Sequence, residues 1–236
     1  MRAYPATHQG LVREQNEDTV RVVDGAHGLY ILADGMGGHL AGEVASCMTA
    51  DEIEKRLRGC DTPSTEILRE AILQANAVVY EKQLGDPSLM GMGTTLTVLW
   101  EDGEYVYIGH VGDSRAYLLR DGSFRQMTED HSFVADLVRA GAITPEAART
   151  HPRRNVITQA VGTDIAVKPD VFRIIKTPGD KWLLCSDGLT DMAEDQQILS
   201  ALDGGVNDET AQKLLQLALD GGGKDNVSVI LLEVEA

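Results

Sequence analysis

Aspartates in this chain repeatedly stand beside a glycine or at the end of a hydrophobic stretch. Asp34 follows the apolar run 29–33, Asp187 follows the run 182–186, and a glycine comes after each. Three more aspartates lie in polar turns: Asp18, Asp113 and Asp225. Carboxylate oxygens without a set of histidines or cysteines around them suit hard cations such as Mg²⁺ and Mn²⁺. The spacing alone leaves a second interpretation open, because Asp and Gly are also favoured in ordinary turns.

The repeated pattern of strand, aspartate and glycine predicts that Asp34 and Asp187 are delivered to one place. Two hard cations about 4 Å apart can hold a bridging water, lower its pKa and support an in-line attack on phosphorus. Asp34 is the natural bridging ligand, since the glycine after it exposes its own carbonyl.

Hydrophobic periodicity predicts the elements that must position these carboxylates. The predicted strands are 19–24, 29–33, 94–100, 104–111, 114–120, 123–127, 168–175, 180–185 and 226–234. The predicted helices are 41–58, 62–84, 193–202 and 208–219, with Thr62 and Pro63 as N-cap and first residue of the second. Asp-Gly turns at 102–103 and 121–122 predict that strands 94–127 form one antiparallel meander. A block of strands flanked by helix pairs indicates an α+β fold rather than alternating βαβ units.

Segment 130–155, called the flap below, departs from this pattern. Two short helices are predicted in it, at 131–140 and 144–149. It is also basic in an otherwise acidic chain, through Arg149, His151, Arg153 and Arg154. An ordinary surface insertion would explain it, because loops tolerate insertions. The functional alternative is a mobile flap whose Arg153 and Arg154 contact the substrate.

Composition limits the choice of partner and compartment. The chain has 236 residues with 37 acidic and 21 basic side chains, a net charge of -16. Such a charge repels nucleic acid and anionic membranes. Three scattered cysteines do not form a disulfide framework or a zinc site, and no apolar run approaches the ~18 residues of a membrane span. We expect one domain over 1–236, a monomer in the cytoplasm with no nucleic-acid or membrane partner.

Six motifs, in order over almost the whole chain, resemble those of the metal-dependent Ser/Thr protein phosphatases of the PPM family (type 2C) in its short bacterial form. They lie at 10–18, 33–39, 93–95, 109–115, 184–188 and 224–226. No single motif is specific for this family, but six motifs in the same order along the chain are. The resemblance implies an αββα sandwich, in which two antiparallel sheets face each other, each is covered by helices, and the metal centre lies at one end.

The resemblance also implies roles for residues of the metal centre. Asp34 would bridge two Mn²⁺ or Mg²⁺ ions, and the carbonyl of Gly35 would bind one of them. Asp187 and Asp225 would complete the coordination of the other ion. Asp113 would hold a third, weaker ion, shared with Asp187.

Four further residues receive roles from the same resemblance. Glu17 and Asp18 would act mainly through coordinated waters, and Asn226 would orient Asp225. Arg13 would hold the phosphate, although a surface ion pair is the alternative for this residue. One position departs from the family pattern: many eukaryotic members have a histidine after Asp-Gly, where this chain has Met36. His39 is the candidate replacement as the acid for the leaving oxygen, with a structural role as the alternative.

The resemblance implies hydrolysis of phosphoserine and phosphothreonine in proteins by direct attack of a metal-bridging hydroxide. Partners would be phosphorylated proteins, including a Ser/Thr kinase and its substrates. Two rival functions stay open at this point. One is a catalytically silent regulatory module of the same fold, and the other is a two-metal nuclease, which the acidic charge disfavours.

Overall fold

The computed structural model of the chain describes residues 1–37 and 40–235. The strands are β1 (Arg2–His8), β2 (Asp18–Val23), β3 (Leu29–Met36), β4 (Gly93–Thr94), β5 (Leu96–Glu101), β6 (Tyr105–Val111), β7 (Arg115–Arg120), β8 (Ser123–Gln126), β9 (Asp170–Ile175), β10 (Lys181–Cys185) and β11 (Val227–Glu233). The helices are α1 (Leu40–Leu57), α2 (Thr65–Gly85), α3 (Phe133–Arg139), α4 (Pro145–Arg149), α5 (Asp187–Thr190), α6 (Asp195–Ala201) and α7 (Asp208–Asp220).

The strands form two sheets in which neighbours run antiparallel. One sheet has the order β1-β11-β10-β7-β8, and the other has the order β2-β3-β5-β6-β9, with β4 paired to β3. Alternate residues of β3 face opposite layers. Tyr30 and Leu32 pack between the sheets, whereas Leu29 and Ile31 pack with α1 and α2. A third cluster joins the outer face of the other sheet to α5, α6 and α7. The predicted αββα sandwich is confirmed.

The predicted meander over 94–127 is wrong in its connectivity. β5 and β6 pair as the turn at 102–103 predicts, but β7 pairs with β10 and β8 in the opposite sheet. The chain crosses between sheets at 112–114, directly around Asp113. Local periodicity marks the strands of this segment correctly but carries no information about the sheet that a strand joins.

One strand was missed from the sequence, and the start of one helix needs correction. β1 was not predicted, because only Ala6 of its seven residues is buried and it lies at a sheet edge, where Pro5 is tolerated. Helix α2 begins at Thr65 with Ser64 as its N-cap, not with Thr62, and the Ser64 side chain accepts the N–H of Ile67. Among the described residues, no helix is both long and apolar enough to cross a lipid bilayer.

Candidate active site

Asp18 and Asp34 meet at one end of the sandwich because β2 and β3 pair in register. They are direct cross-strand partners, as are Val20 and Leu32 further along. Cross-strand partners project from the same face of a sheet. Since Leu32 packs between the two sheets, the two carboxylates mark the end of that inner layer.

Asp187 reaches the same end from the opposite sheet. It follows β10 and is the first residue of α5, and Ser186 before it is the N-cap. The hydroxyl of Ser186 donates to Oδ2 of Asp18 at 3.0 Å, so this serine joins the two sheets. Gly188 is required here, because a Cβ atom at this position would collide with the carbonyl oxygen of Asn226.

The backbone of Asp34 is fixed by Thr94 of β4 and by Thr95, which lies between β4 and β5. The N–H of Asp34 donates to Oγ1 of Thr95 at 3.0 Å, and its carbonyl accepts the N–H of Thr95 at 2.8 Å. The hydroxyl of Thr94 donates to the same carbonyl at 2.9 Å. A Cβ on Gly35 would collide with the carbonyl of Gly42 in α1, so only glycine fits after Asp34.

Asp225 and Arg13 form an ion pair beside this group. Nη2 of Arg13 lies 2.7 Å from Oδ2 of Asp225, and the arginine side chain remains 50% exposed. Asp225 Oδ1 accepts the backbone N–H of Asn226 at 2.8 Å. The side chain of Asn226 has other partners: it accepts the N–H of Glu17 and donates to the carbonyls at positions 9 and 15. Asn226 therefore fixes the loop that carries Arg13 and Glu17, and holds Asp225 through its main chain.

Asp113 lies where the chain crosses from β6 to β7. It is 9% exposed, and its Oδ1 has no hydrogen-bond partner among the described residues. The Oδ1 of Asp18 is also buried and has no hydrogen-bond partner among the described residues. Buried carboxylate oxygens are costly unless something compensates them.

The pKa values of these carboxyls are raised. Burial raises the pKa of Asp34 well above its ordinary value, and the charges of the neighbouring aspartates raise it further. Burial does the same to Asp187, with Asp113 as its strongest charged neighbour. It also raises the pKa of Asp113 to about 7 and that of Asp18 to about 6, although hydrogen bonds from serines lower the latter. Positive charge in the cluster would remove this penalty, because it favours the ionised form.

The donor set fits hard cations. It consists of carboxylate, hydroxyl and carbonyl oxygens, the ligands of Mg²⁺ and Mn²⁺, with no thiol among the described groups. No three or more His, Cys, Asp or Glu side chains within 1–37 and 40–235 converge tightly enough to hold an ion by themselves. Mg²⁺ usually retains several waters and takes few protein carboxylates, so this looser arrangement agrees with a partly hydrated site.

The flap lies over a cavity of about 520 Å³ next to this cluster. Val134, Val138 and Ala148 line it from the flap helices, and Asp113 and Asp187 line it from the core.

The two arginines predicted to contact substrate are in different settings. The guanidinium of Arg153 stacks 3.7 Å from the ring centroid of Phe133, within the flap. Nε of Arg154 lies 3.7 Å from Asp191 on the core, and Arg154 also lines the cavity. Arg149 lines the cavity as well.

The comparisons with known proteins agree with this geometry. The family model described as "Protein phosphatase 2C" matches residues 8–220. The chain belongs to the protein phosphatase 2C family. It is 43% identical over 229 residues to the serine/threonine protein phosphatase PstP of Mycobacterium tuberculosis, covering 96% of this chain but only 43% of that protein. A putative protein phosphatase 2C-type of Streptococcus pyogenes is 39% identical, over 98% of this chain and 96% of its own length.

A solved structure of another 2C phosphatase domain has the same fold. The catalytic domain of a serine/threonine protein phosphatase PstP, in complex with two manganese ions, superimposes with a TM-score of 0.88 at 41% identity. The match covers 100% of this chain and 98% of that one.

Sequence reasoning missed several residues of this candidate 2C phosphatase site. Asp191 lies one helical turn after Asp187 and lines the same cavity, and the i, i+4 spacing was the available signal. Thr95 and Ser186 were quoted within motifs without a role.

Two predicted residues remain to be placed. His39, predicted as a proton donor, lies outside the described residues. Glu17, predicted to act through coordinated waters, is buried next to Gly42, and its carbonyl accepts the N–H of Gly35 at 3.2 Å.

Proposed function

We propose that this chain is a cation-dependent phosphatase that removes phosphate from phosphoserine and phosphothreonine in proteins. The observation that carries the proposal is the convergence of Asp18, Asp34 and Asp187 from two sheets, with Arg13 and Asp225 at its edge. Family membership supports the same activity, since the curated relatives are serine/threonine protein phosphatases.

The proposed cofactors are two Mn²⁺ or Mg²⁺ ions, with a third, weaker ion near Asp113. Asp34, Asp187 and Asp225 would hold the first two together with the carbonyl of Gly35, and Asp18 would act through waters. When bound, the ions supply positive charge to phosphoryl oxygens and lower the pKa of a coordinated water. The manganese of the PstP complex supports this set of metals.

Arg13 is proposed to hold the phosphate. Within the described residues its guanidinium forms an ion pair with Asp225, and half of its side chain faces solvent. A guanidinium presents a planar fork of five N–H donors, which suits phosphate oxygens in a bidentate arrangement. Arg13 can therefore keep Asp225 in place with one edge and receive phosphate on another.

Protonation of the leaving oxygen needs a further group. Met36, the residue after Asp-Gly, has a thioether that donates no proton. We retain His39 as the proposed acid. The substrate beyond the phosphate is proposed to lie under the flap, with Arg153 and Arg154 contributing there.

Phosphorylated proteins, including a Ser/Thr kinase and its substrates, are the proposed partners. A monomer located in the cytoplasm is part of the same proposal. Sedimentation velocity and cell fractionation would test the last two points.

Release of phosphate from phosphoserine and phosphothreonine peptides tests the activity directly. We expect release with Mn²⁺ or Mg²⁺, no release in EDTA, and recovery when the ion is restored. Asp34→Ala serves as the inactive control. Failure to release phosphate with either ion would contradict the proposal, and cleavage of plasmid DNA or RNA by the same preparation would favour the nuclease alternative.

A further inference from the structure

The position of Asp113 depends in part on the backbone of the turn that carries it. Its Oδ1 is buried and has no hydrogen-bond partner among the described residues. The residue before it, Gly112, has φ +109°, in the left-handed region that favours glycine. A Cβ at Gly112 would also lie 2.7 Å from the Cβ of Thr95. The place of Asp113 thus depends on what holds the Gly112 peptide groups.

His131 holds both main-chain groups of Gly112. The N–H of Gly112 donates to Nδ1 of His131 at 3.1 Å, and the N–H of His131 donates to the carbonyl of Gly112 at 2.7 Å. An imidazole nitrogen that accepts a backbone N–H carries no proton, so the proton of neutral His131 is on Nε2. That nitrogen lies 3.1 Å from Oδ2 of Asp170, which is a suitable acceptor.

A second buried histidine supports the ring of His131. The two ring centroids, of His110 and His131, are 5.0 Å apart. His110 is itself fixed at both nitrogens, by Oγ1 of Thr97 at 3.1 Å and by the carbonyl of Glu129 at 3.1 Å. Because His131 is only 7% exposed and is held on three sides, its Nδ1 keeps one position relative to Gly112.

The same residue lies at the point where the flap leaves the core. Asp130 before it forms a bidentate contact with Arg115 of β7, and Ser132 after it is the N-cap of α3. The carbonyl of His131 accepts the N–H of Thr158, where the chain returns from the flap, at 2.8 Å. His131 therefore contacts the turn that carries Asp113 and both ends of the flap.

We infer that His131 is a positioning residue that sets the place of Asp113 by binding both peptide groups of Gly112, and so connects the flap to the third cation. This inference rests on the proposed function for the cation, but the geometry of the turn can be tested without it.

Two substitutions separate the functions of the two ring nitrogens. His131→Asn puts a carboxamide oxygen close to the position of Nδ1, so an acceptor for Gly112 remains while the contact with Asp170 is lost. His131→Gln extends toward the position of Nε2 and removes the acceptor near Gly112. His131→Ala removes both, and thermal unfolding of each variant in EDTA shows whether it folds.

Hydrogen exchange of the Gly112 amide gives a readout that needs no metal. We expect exchange about tenfold faster in the Gln and Ala variants than in the wild type, with the Asn variant close to the wild type. Calorimetric titration with Mn²⁺ gives the second readout. The affinity of the weak site should fall by about tenfold in the same two variants, while the two tighter sites are retained.

Unchanged Gly112 exchange in His131→Gln would overturn the inference, and so would equal losses in the Asn and Ala variants. A wild-type protein that binds only two ions would overturn the part concerning the third cation. The contact between His131 and Gly112 would then be tested by hydrogen exchange of the Gly112 amide alone. Absence of phosphatase activity in the wild type would count against the proposed function alone, because neither readout depends on turnover.

Discussion

Asp18 and Asp34 lie directly opposite each other on neighbouring antiparallel strands at the open end of the sandwich. Like charges in such positions destabilise a sheet. Ser186 reaches across from the other sheet to hydrogen-bond Asp18, but Asp34 remains surrounded by the charges of four other aspartates. The arrangement costs stability in the absence of cations, and this cost motivates the first two predictions.

Asp34→Ala should abolish turnover while leaving the fold intact. The substitution removes the proposed bridging ligand, so we expect kcat to fall by far more than tenfold, where a tenfold fall corresponds to ~1.4 kcal/mol. It also relieves the repulsion among the aspartates. In EDTA at pH 7.5 the variant should unfold at a higher temperature than the wild type. Phosphopeptide turnover and thermal unfolding measure the two effects. Asp203→Ala, at an exposed position of a short 3-10 helix, is the matched control. Residual activity of Asp34→Ala above about a tenth would exclude Asp34 as the bridge.

The metal-free protein should lose stability as pH rises from 6 to 8. An acid whose pKa is raised in the folded state gives the folded state more bound protons, so the free energy of unfolding falls as pH rises through the folded value. A pKa of about 7 for Asp113 implies a loss of about 1.4 kcal/mol over this window. The contribution of Asp113 alone corresponds to a fall of about 3–5 °C in the melting temperature.

Thermal unfolding in EDTA at pH 6, 7 and 8 checks this sign. Asp113→Asn should reduce the fall, and saturating Mn²⁺ should reverse it, because cations and protons compete for the same oxygens. His110 acts in the opposite direction, since burial lowers its pKa to about 4 in the folded state. In the unfolded chain it still binds protons near pH 6, so it adds about 0.8 kcal/mol to the free energy of unfolding between pH 6 and 8 and partly offsets the loss from the aspartates. A melting temperature that rises with pH in EDTA would contradict the assigned repulsion.

The strand ends that carry Asp34 and Asp187 could be predicted from sequence, because buried strands followed by Asp-Gly are local patterns. The contact of His131 with Gly112, next to Asp113, could not be predicted in this way. His131 is 19 residues from Gly112, and the two meet only because the chain changes sheets between β6 and β7. The partners of Asn226 were missed for the same reason, since they lie more than 200 residues away. Local periodicity identifies elements, whereas contacts distant in sequence depend on their packing.

Arg13→Ala should mainly raise KM, with a smaller fall in kcat. A phosphate clamp contacts the phosphate in both the bound substrate and the transition state, so most of its contribution is uniform binding. Steady-state kinetics on a phosphothreonine peptide measures the split. Arg58→Ala, which removes an exposed arginine directly after α1, is the control. Unchanged kinetics would mean that the ion pair with Asp225 is only structural.

Asp113→Ala should leave two Mn²⁺ ions bound and remove the weak third site. Asp113 lies on the crossover rather than on the strand ends that hold Asp34 and Asp187, so the two tighter sites should persist. Activity should fall less on p-nitrophenyl phosphate than on phosphoproteins. Calorimetry that still counts a third weak site in the variant would contradict the assignment.

Arg153→Ala combined with Arg154→Ala should lower kcat/KM on phosphoproteins by about tenfold, ~1.4 kcal/mol, and change hydrolysis of p-nitrophenyl phosphate little. In the proposed arrangement only the larger substrate would extend under the flap, where Arg154 lines the cavity.

The single variants Arg153→Ala and Arg154→Ala distinguish direct contact with the substrate from an effect on the shape of the flap. Arg153 stacks on Phe133, so its loss could act through the shape of the flap, and Phe133→Ala should then reproduce the effect of Arg153→Ala. Arg154 pairs with Asp191 at 3.7 Å with 39% of its side chain exposed, so it is the better candidate for direct contact. Equal losses on both substrates would assign the arginines to the metal site or the fold. No loss on either substrate would make the flap an ordinary surface insertion, because a segment that touches substrate must distinguish a phosphoprotein from a small phosphate ester.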